Sequence, residues 1–188
     1  AFKNASEMSF DAKIQEDAFY NYAKLSYDMG NPYQSVPDVL QAFVKKYPNT
    51  AYKAEIEQLL ISSFITSKNY KDALALLEKT KTSDNRPIYQ KVTFYRGLEF
   101  YIDGNYKDAM QMFSKSLAEP RDPKFVARAL FWKGEIEFHL DQFKDALLSF
   151  QQFKNHNSAP QTPEFKNLDY HLAYAHFKLK EYETSIPF

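Results

Sequence analysis

The phrase "KNYKDAL" at residues 68–74 is written again as "GNYKDAM" at 104–110 and as "DQFKDAL" at 141–147. A fainter copy, "KEYETSI", covers 180–186. Anchored on their aromatics, Tyr70, Tyr106, Phe143 and Tyr182, the copies lie 36, 37 and 39 residues apart. Three residues after each anchor stands a small side chain: Ala73, Ala109, Ala146 and Ser185. Nine residues before each stand Ile61, Gly97, Gly134 and Ala173. A degenerate first copy fits "GNPYQSV", with Pro32 at the anchor, Ser35 three later and Ala23 nine earlier. Self-similarity at this period restricts the chain to architectures that stack one supersecondary unit. Each unit then completes its apolar core only against its neighbours.

The unit reads as a pair of helices. Apolar and small residues recur at helical spacing, as in Leu59, Leu60, Phe64 or Leu130, Gly134, Phe138. Only four glycines are present, and alternating β-branched runs are rare, which argues against a sheet. Pro87, Pro123 and Pro163 mark the starts of first helices, where a missing N–H costs nothing. The pattern predicts helices over 12–29, 35–46, 51–66, 70–80, 87–102, 106–118, 123–139, 143–154 and 163–179, with a last one from 182. The linker "NHNSAPQTP", Asn155 to Pro163, is the longest and is expected to be the most mobile hinge.

Composition narrows the function classes. Lys plus Arg, at 24, equals Asp plus Glu, at 24, so no net field draws the chain to nucleic acid or anionic lipid. No apolar run approaches the roughly 20 residues that span a bilayer, so this segment is not expected to insert in a membrane. Without cysteine there are no disulfides, thiolate nucleophiles or Cys-based zinc sites. His139, His156, His171 and His176 form no i, i+4 pair, and no HExxH accompanies them, so neither metal nor cofactor is expected. Four glycines cannot build a phosphate loop, and no GxSxG occurs. Glu135 and Glu137 diverge from one helix and read as solvated carboxylates rather than an acid/base pair. The chain is accordingly read as non-enzymatic.

The period, the paired small positions and their repetition resemble the tetratricopeptide repeat, two antiparallel helices of about 34 residues. The resemblance covers essentially the whole chain. It implies an all-α fold, a right-handed superhelix of antiparallel helix pairs (an α-α solenoid), here a single array over 1–188. Repeats are expected at about 11–48, 49–84, 85–121, 122–160 and 161–188, the last incomplete, with 1–10 as the end of a preceding one. In the family, the small residues let the two helices of a pair cross closely. Those positions are Ala23/Ser35, Ile61/Ala73, Gly97/Ala109, Gly134/Ala146 and Ala173/Ser185. Val39, Leu77, Phe113 and Phe150 supply the knob that packs within and between repeats. Ile61 departs from the pattern, so the second repeat is expected to be splayed or re-packed. Phe2 and Ala5 stand where Phe113 and Ser116 stand in the third repeat, and "SIPF" falls inside a second helix. The chain therefore reads as a slice of a longer array with apolar terminal faces.

The resemblance also carries over the concave surface lined by the first helix of each pair. There it places Tyr20, Lys24 and Tyr27 in the first repeat, Phe94 and Tyr101 in the third, Phe131, Glu135 and Phe138 in the fourth, and Tyr170, Tyr174 and Phe177 in the fifth. These residues form an aromatic-lined groove suited to a protein or peptide partner. The Lys/Asn clamp that some family members use for a chaperone's C-terminal carboxylate is missing, since Tyr20/Lys24 and Gln58/Ser62 occupy its places. Trp132 is assigned to inter-helix packing. The alternative is a small-ligand or glycan-binding module using the same groove, and self-association through cut ends is a further reading. "AFVKKYPNTAY" (42–52) and "FWKGEIEFHLDQFKDALLSF" (131–150) are similar to repeats of Gram-negative envelope proteins associated with Tol–Pal and outer-membrane assembly. That similarity implies a periplasmic or membrane-associated home and carries over no catalytic residue.

Overall fold

The computed structural model describes residues 1–8, 11–80 and 82–186. Ser9, Phe10, Lys81, Pro187 and Phe188 lie outside the described residues, and with them the junction after the first short helix and the end of "SIPF". The described residues are helical or irregular, with no strand among them. In order they form α1 (Phe2–Glu7), α2 (Ala12–Met29), α3 (Val36–Lys46), α4 (Lys53–Thr66), α5 (Tyr70–Lys79) and α6 (Arg86–Ile102). There follow α7 (Tyr106–Leu117), α8 (Pro123–His139), α9 (Phe143–Lys154), two short 3-10 turns (Ala159–Gln161 and Pro163–Asn167), α10 (Leu168–Lys178) and α11 (Tyr182–Ser185). They cluster into two compact units, Ala1–Thr80 and Lys81–Phe188.

The repeated phrase is a chain reversal. Lys68, Gly104, Asp141 and Lys180, each two residues before an anchor, all have positive φ between 57° and 73°. Each copy makes the same two hydrogen bonds. The N–H groups of Asn69, Asn105, Gln142 and Glu181 donate to the carbonyls of Phe64, Phe100, Glu137 and His176. Those of Lys68, Gly104, Asp141 and Lys180 donate to Ile65, Tyr101, Phe138 and Phe177. This is the Schellman arrangement, which satisfies the last carbonyls of a helix. The anchor ring then packs back on the residue five before it: Tyr106 on Tyr101 at 5.5 Å, Phe143 on Phe138 at 5.4 Å and Tyr182 on Phe177 at 5.5 Å. At the other end, Asn69 accepts from the Asp72 N–H and so caps α5.

Only Gly104 fills the left-handed position without a Cβ penalty. Lys68→Gly is therefore expected to stabilise the first unit by about 0.5–1 kcal/mol, relief at the left-handed position being partly offset by greater freedom of the unfolded chain. A higher urea midpoint for the variant checks this, and a lower one refutes it.

Above the turn, the paired helices meet at the small positions. A Cβ on Gly97 would lie 2.9 Å from the Phe113 ring, and one on Gly134 would lie 2.7 Å from Phe150. Glycine at the first small position is thus matched to phenylalanine at the knob. In the second copy both residues change: Ile61 and Leu77 are each fully buried, so a larger first residue accompanies a smaller knob. Ile61 is accommodated by re-packing.

The first copy departs from its predicted register. Ser35 is exposed and caps α3 by accepting from the Asp38 N–H, the role Asn69 plays for α5. Counting from those caps, Val39 takes the place of Ala73 and Phe43 that of Leu77. The longer connection through Gly30–Ser35 shifts the second helix by four residues, about one turn, which leaves the same face inward. Phe43, fully buried against Phe19 at 5.5 Å and Tyr47 at 5.3 Å, is the knob. Phe2, predicted at a knob position, is 44% exposed; its neighbour Ser6 is buried instead.

In the second unit, Phe94, Ala109, Phe113, Ala129 and Ile136 form one cluster. Ala127, Phe131, Ala146, Phe150, Phe153, Leu168 and Leu172 belong to another. Gln90, fully buried, holds the turn before α8: its carboxamide oxygen accepts from the N–H groups of Arg121 and Asp122, and its NH2 donates to the Asp122 carbonyl. The 155–163 linker is not a loose hinge. Ala159 is fully buried in the second cluster, Ser158 and Thr162 are buried, and the Thr162 hydroxyl donates to the Ala159 carbonyl. Its small residues let the backbone pack on the core.

Candidate functional site

Side chains on successive first helices meet at the repeat spacing. In the first unit the Tyr20 hydroxyl donates to Glu55 at 2.7 Å, and Lys24 donates to the other oxygen of Glu55 at 2.7 Å. The Tyr52 hydroxyl donates to Asp17 at 2.9 Å, and its ring stacks on Tyr20 with centroids 3.9 Å apart. The bond from Lys24 holds the Glu55 carboxyl below its ordinary range, and the bond to Glu55 raises the Tyr20 phenol. Tyr20 and Lys24 are half-buried and engaged with α4, so they bind a neighbouring repeat before any partner. Tyr27, also half-buried, lines a cavity of about 540 Å³ with Val36, Pro37 and Ser63.

The second unit divides the predicted groove residues into core and surface. Phe94 is fully buried against Phe113 and Phe125, and Phe131 is 3% exposed against Phe150 and Phe153. Neither can touch a partner: both point into the space between paired helices, where the glycines opposite the knobs leave room for rings. Glu135 and Glu137, predicted to be solvated, are buried at 8% and 5% exposure. Glu137 accepts from the Ser149 hydroxyl at 2.6 Å and pairs with Lys133 at 3.2 Å. Glu135 accepts from the Tyr101 hydroxyl at 3.3 Å and lies 2.7 Å from Nδ1 of His171. Tyr101, Glu135 and His171 therefore link α6, α8 and α10 in series. Phe138 is half-buried between Phe143 and Tyr174.

Burial, followed by the negative charge of Glu135, raises the Tyr101 phenol well above the ordinary tyrosine value. A raised acid leaves stability unchanged below the unfolded value, near pH 10, and lowers it as pH climbs from there toward the folded value. In an alkaline absorbance titration Tyr101 is expected to ionise after the exposed tyrosines. Tyr101→Phe should reduce the amplitude of that late phase, to which the raised Tyr20 and Tyr52 phenols also contribute; an unchanged amplitude contradicts the assignment.

Of the predicted groove aromatics, those that are exposed rather than half-buried lie on α10. Tyr170 is 65% exposed and Phe177 54%, with Tyr174 half-buried between them. Their spacing of four and three residues places them on one helix face. Tyr170 and Tyr174 stack with centroids 6.0 Å apart at 26°, Tyr174 meets Phe177 at 6.4 Å, and Lys178 lies over the Tyr174 ring at 5.3 Å.

A second feature was missed at the sequence level. Glu164, in the 3-10 turn before α10, is 5% exposed. One of its oxygens accepts from both Nε of Arg128, at 2.8 Å, and Nε1 of Trp132, at 3.0 Å. Arg128 also lies over the Phe94 ring at 4.6 Å, and Trp132 packs edge-on against Phe131 and Tyr101. Trp132 is thus an inter-helix residue, with its N–H spent on Glu164. The 36-residue separation of Arg128 and Glu164, close to the period, was the one available signal. Among the described residues, no group of three or more His, Asp or Glu is placed to hold a metal, and no helix is long and apolar enough to cross a membrane.

The tetratricopeptide repeat family profile matches residues 17–50. That stretch holds Ala23 and the slipped first copy, the one whose repeat phrase is most degenerate. No curated protein sequence matches this chain. Among solved structures, one described as MamA is 13% identical, covering 92% of this chain and 86% of its own, with TM-score 0.57. A MamA RS-1 ArsTM double mutant is 16% identical over 95% of this chain and 92% of its own, with TM-score 0.56. MamA 41-end from Desulfovibrio magneticus RS-1 is 16% identical with the same coverage and TM-score 0.53. At these identities the likeness is one of fold: an all-helical solenoid of tetratricopeptide-like helix pairs.

Proposed function

We propose that the protein is a non-enzymatic scaffold that binds a protein or peptide partner along the exposed aromatic face of α10. The observation that carries this reading is the Tyr170–Tyr174–Phe177 strip: three rings on one helix face, two of them more than half exposed. Exposed rings lose little conformational freedom on burial and supply large contact area, which makes them anchors for a peptide. The groove is shorter than the sequence suggests, because Phe94 and Phe131 belong to the core. Glycan stacking asks for rings spread side by side; Tyr170 and Tyr174 stack on each other, which weighs against it.

Selection from a phage-displayed peptide library tests the proposal. Selected peptides are expected to bind at least about tenfold more weakly to Tyr170→Ala or Phe177→Ala, as befits loss of an aromatic anchor. They should be unaffected by Leu148→Ala, a change at an exposed residue of α9. Peptides that ignore both α10 substitutions overturn the reading. We also place the protein at the cell envelope, on the strength of the phrases at 42–52 and 131–150. Fractionation that finds it in the soluble cytoplasm refutes that placement.

A further inference from the structure

In the first unit, the end of α2, the start of α3 and the end of α4 enclose a cavity of about 540 Å³, within the range of small-ligand sites. Asp28 is the one formally charged side chain among the described residues that line it. Among the described residues its carboxylate has neither an ion-pair nor a hydrogen-bond partner. Lys24, one turn earlier on α2 and spaced to pair with Asp28, is held instead by Glu55 at 2.7 Å.

That placement works against the helix. Asp28 stands in the last turn of α2, which holds no basic residue. A carboxylate there meets the negative end of the helix macrodipole, where a cation would be favoured. α2 also ends at Gly30 without the Schellman bonds that close α4. The last turn of α4, the other helix end at the cavity, likewise holds no basic residue, and Lys68 beyond it does not line the space. A residue that breaks a local rule without compensation in the fold points to a ligand.

The rest of the lining fits a cation on an apolar stem. Ser63 is 7% exposed, yet its hydroxyl makes no hydrogen bond among the described residues and keeps accessible surface. The Tyr27 hydroxyl is equally without a partner among them. Thr66 and Ser67 donate their hydroxyl protons to the carbonyls of Ser62 and Ser63, both at 2.9 Å, so their oxygens remain as acceptors. Val36 and Pro37 supply an apolar wall.

We propose that this cavity binds a primary ammonium carried on a short apolar stem. An ammonium is a compact charge with three donors. Asp28 answers the charge, the oxygens of Ser63 and Tyr27 accept remaining protons, and the stem lies on Val36 and Pro37. An anion would meet Asp28 and two helix C-termini, and a calcium-type ion asks for more carboxylates than one. A free alkylamine and a lysine side chain share this chemistry. The inference asks nothing of α10, so it stands or falls apart from the proposed function.

The test is a titration of the full chain at low salt with n-pentylamine, N-acetyl-lysine amide and N-acetyl-norleucine amide, the last a neutral analogue of the lysine probe. Amide shifts of Asp28, Ser63 and Thr66 are followed in proton–nitrogen spectra. Saturable shifts with both amines are expected, with norleucine at least about tenfold weaker. Tighter binding of the lysine probe than of pentylamine assigns the ammonium to a protein, and the reverse assigns it to a free amine; either keeps the site. Asp28→Asn should weaken both amines by about tenfold while its urea midpoint stays level or rises, since it removes a charge opposed to the helix. No saturable shift at these amides, an equal response to norleucine, or amine binding that survives Asp28→Asn overturns the proposal. The comparison of charged and neutral probes on the unmodified chain decides this even if the variant fails to fold.

Discussion

Phe131→Ala is expected to cost about 3–5 kcal/mol of the second unit's stability, in the range of a large ring removed from a packed core. The ring is 3% exposed and meets Phe150, Phe153 and His171 at centroid distances of 5.3–5.5 Å, so no neighbour is free to collapse into the gap. Tyr170→Ala removes a ring that is 65% exposed and should stay within about 0.5 kcal/mol. Trp132 packs against Phe131, so urea unfolding followed by tryptophan emission reads the unit that holds the mutation. The contrast separates core from surface among residues the sequence had grouped together. A loss below about 1 kcal/mol for Phe131→Ala would return it to the candidate surface.

Gly134→Ala should cost about 1–3 kcal/mol, an overpacking penalty, because the new methyl would sit 2.7 Å from the Phe150 ring. Phe150 is fully buried, which leaves its ring no open space to move into. The second repeat shows the compensation, with Ile61 in the glycine's place and Leu77 in the phenylalanine's. Gly134→Ala combined with Phe150→Leu is therefore expected to be less damaging than the two separate losses added, by about 0.5–3 kcal/mol of coupling. Simple additivity in the double-mutant cycle would show that the two positions do not set each other's size.

Local chemistry was legible along the chain. Gly104 and the repeated aromatic marked the reversal, and Pro87 and Pro123 marked helix starts that the structure places at the beginnings of α6 and α8. The left-handed turn at Lys68, Asp141 and Lys180 could be inferred only through its equivalence to Gly104, because no glycine announces it. The slip in the first copy was hidden because moving a helix by four residues preserves its inward face: Val39 is buried in either register.

The sequence by itself determined the repeating helix pair, its period and the close crossing at Gly97 and Gly134. Each follows from residues that act within one pair. Tertiary structure decided which rings are core and which carboxylates are buried. Phe131 and Tyr170 hold equivalent places on successive first helices, yet one is sealed and the other open, since burial depends on what a neighbouring segment lays over each. Glu135 and Glu164 are buried in the same way. Their surroundings come from α6, α8 and α10, tens of residues apart, and a carboxylate's environment is set by those neighbours rather than by its own place in a helix.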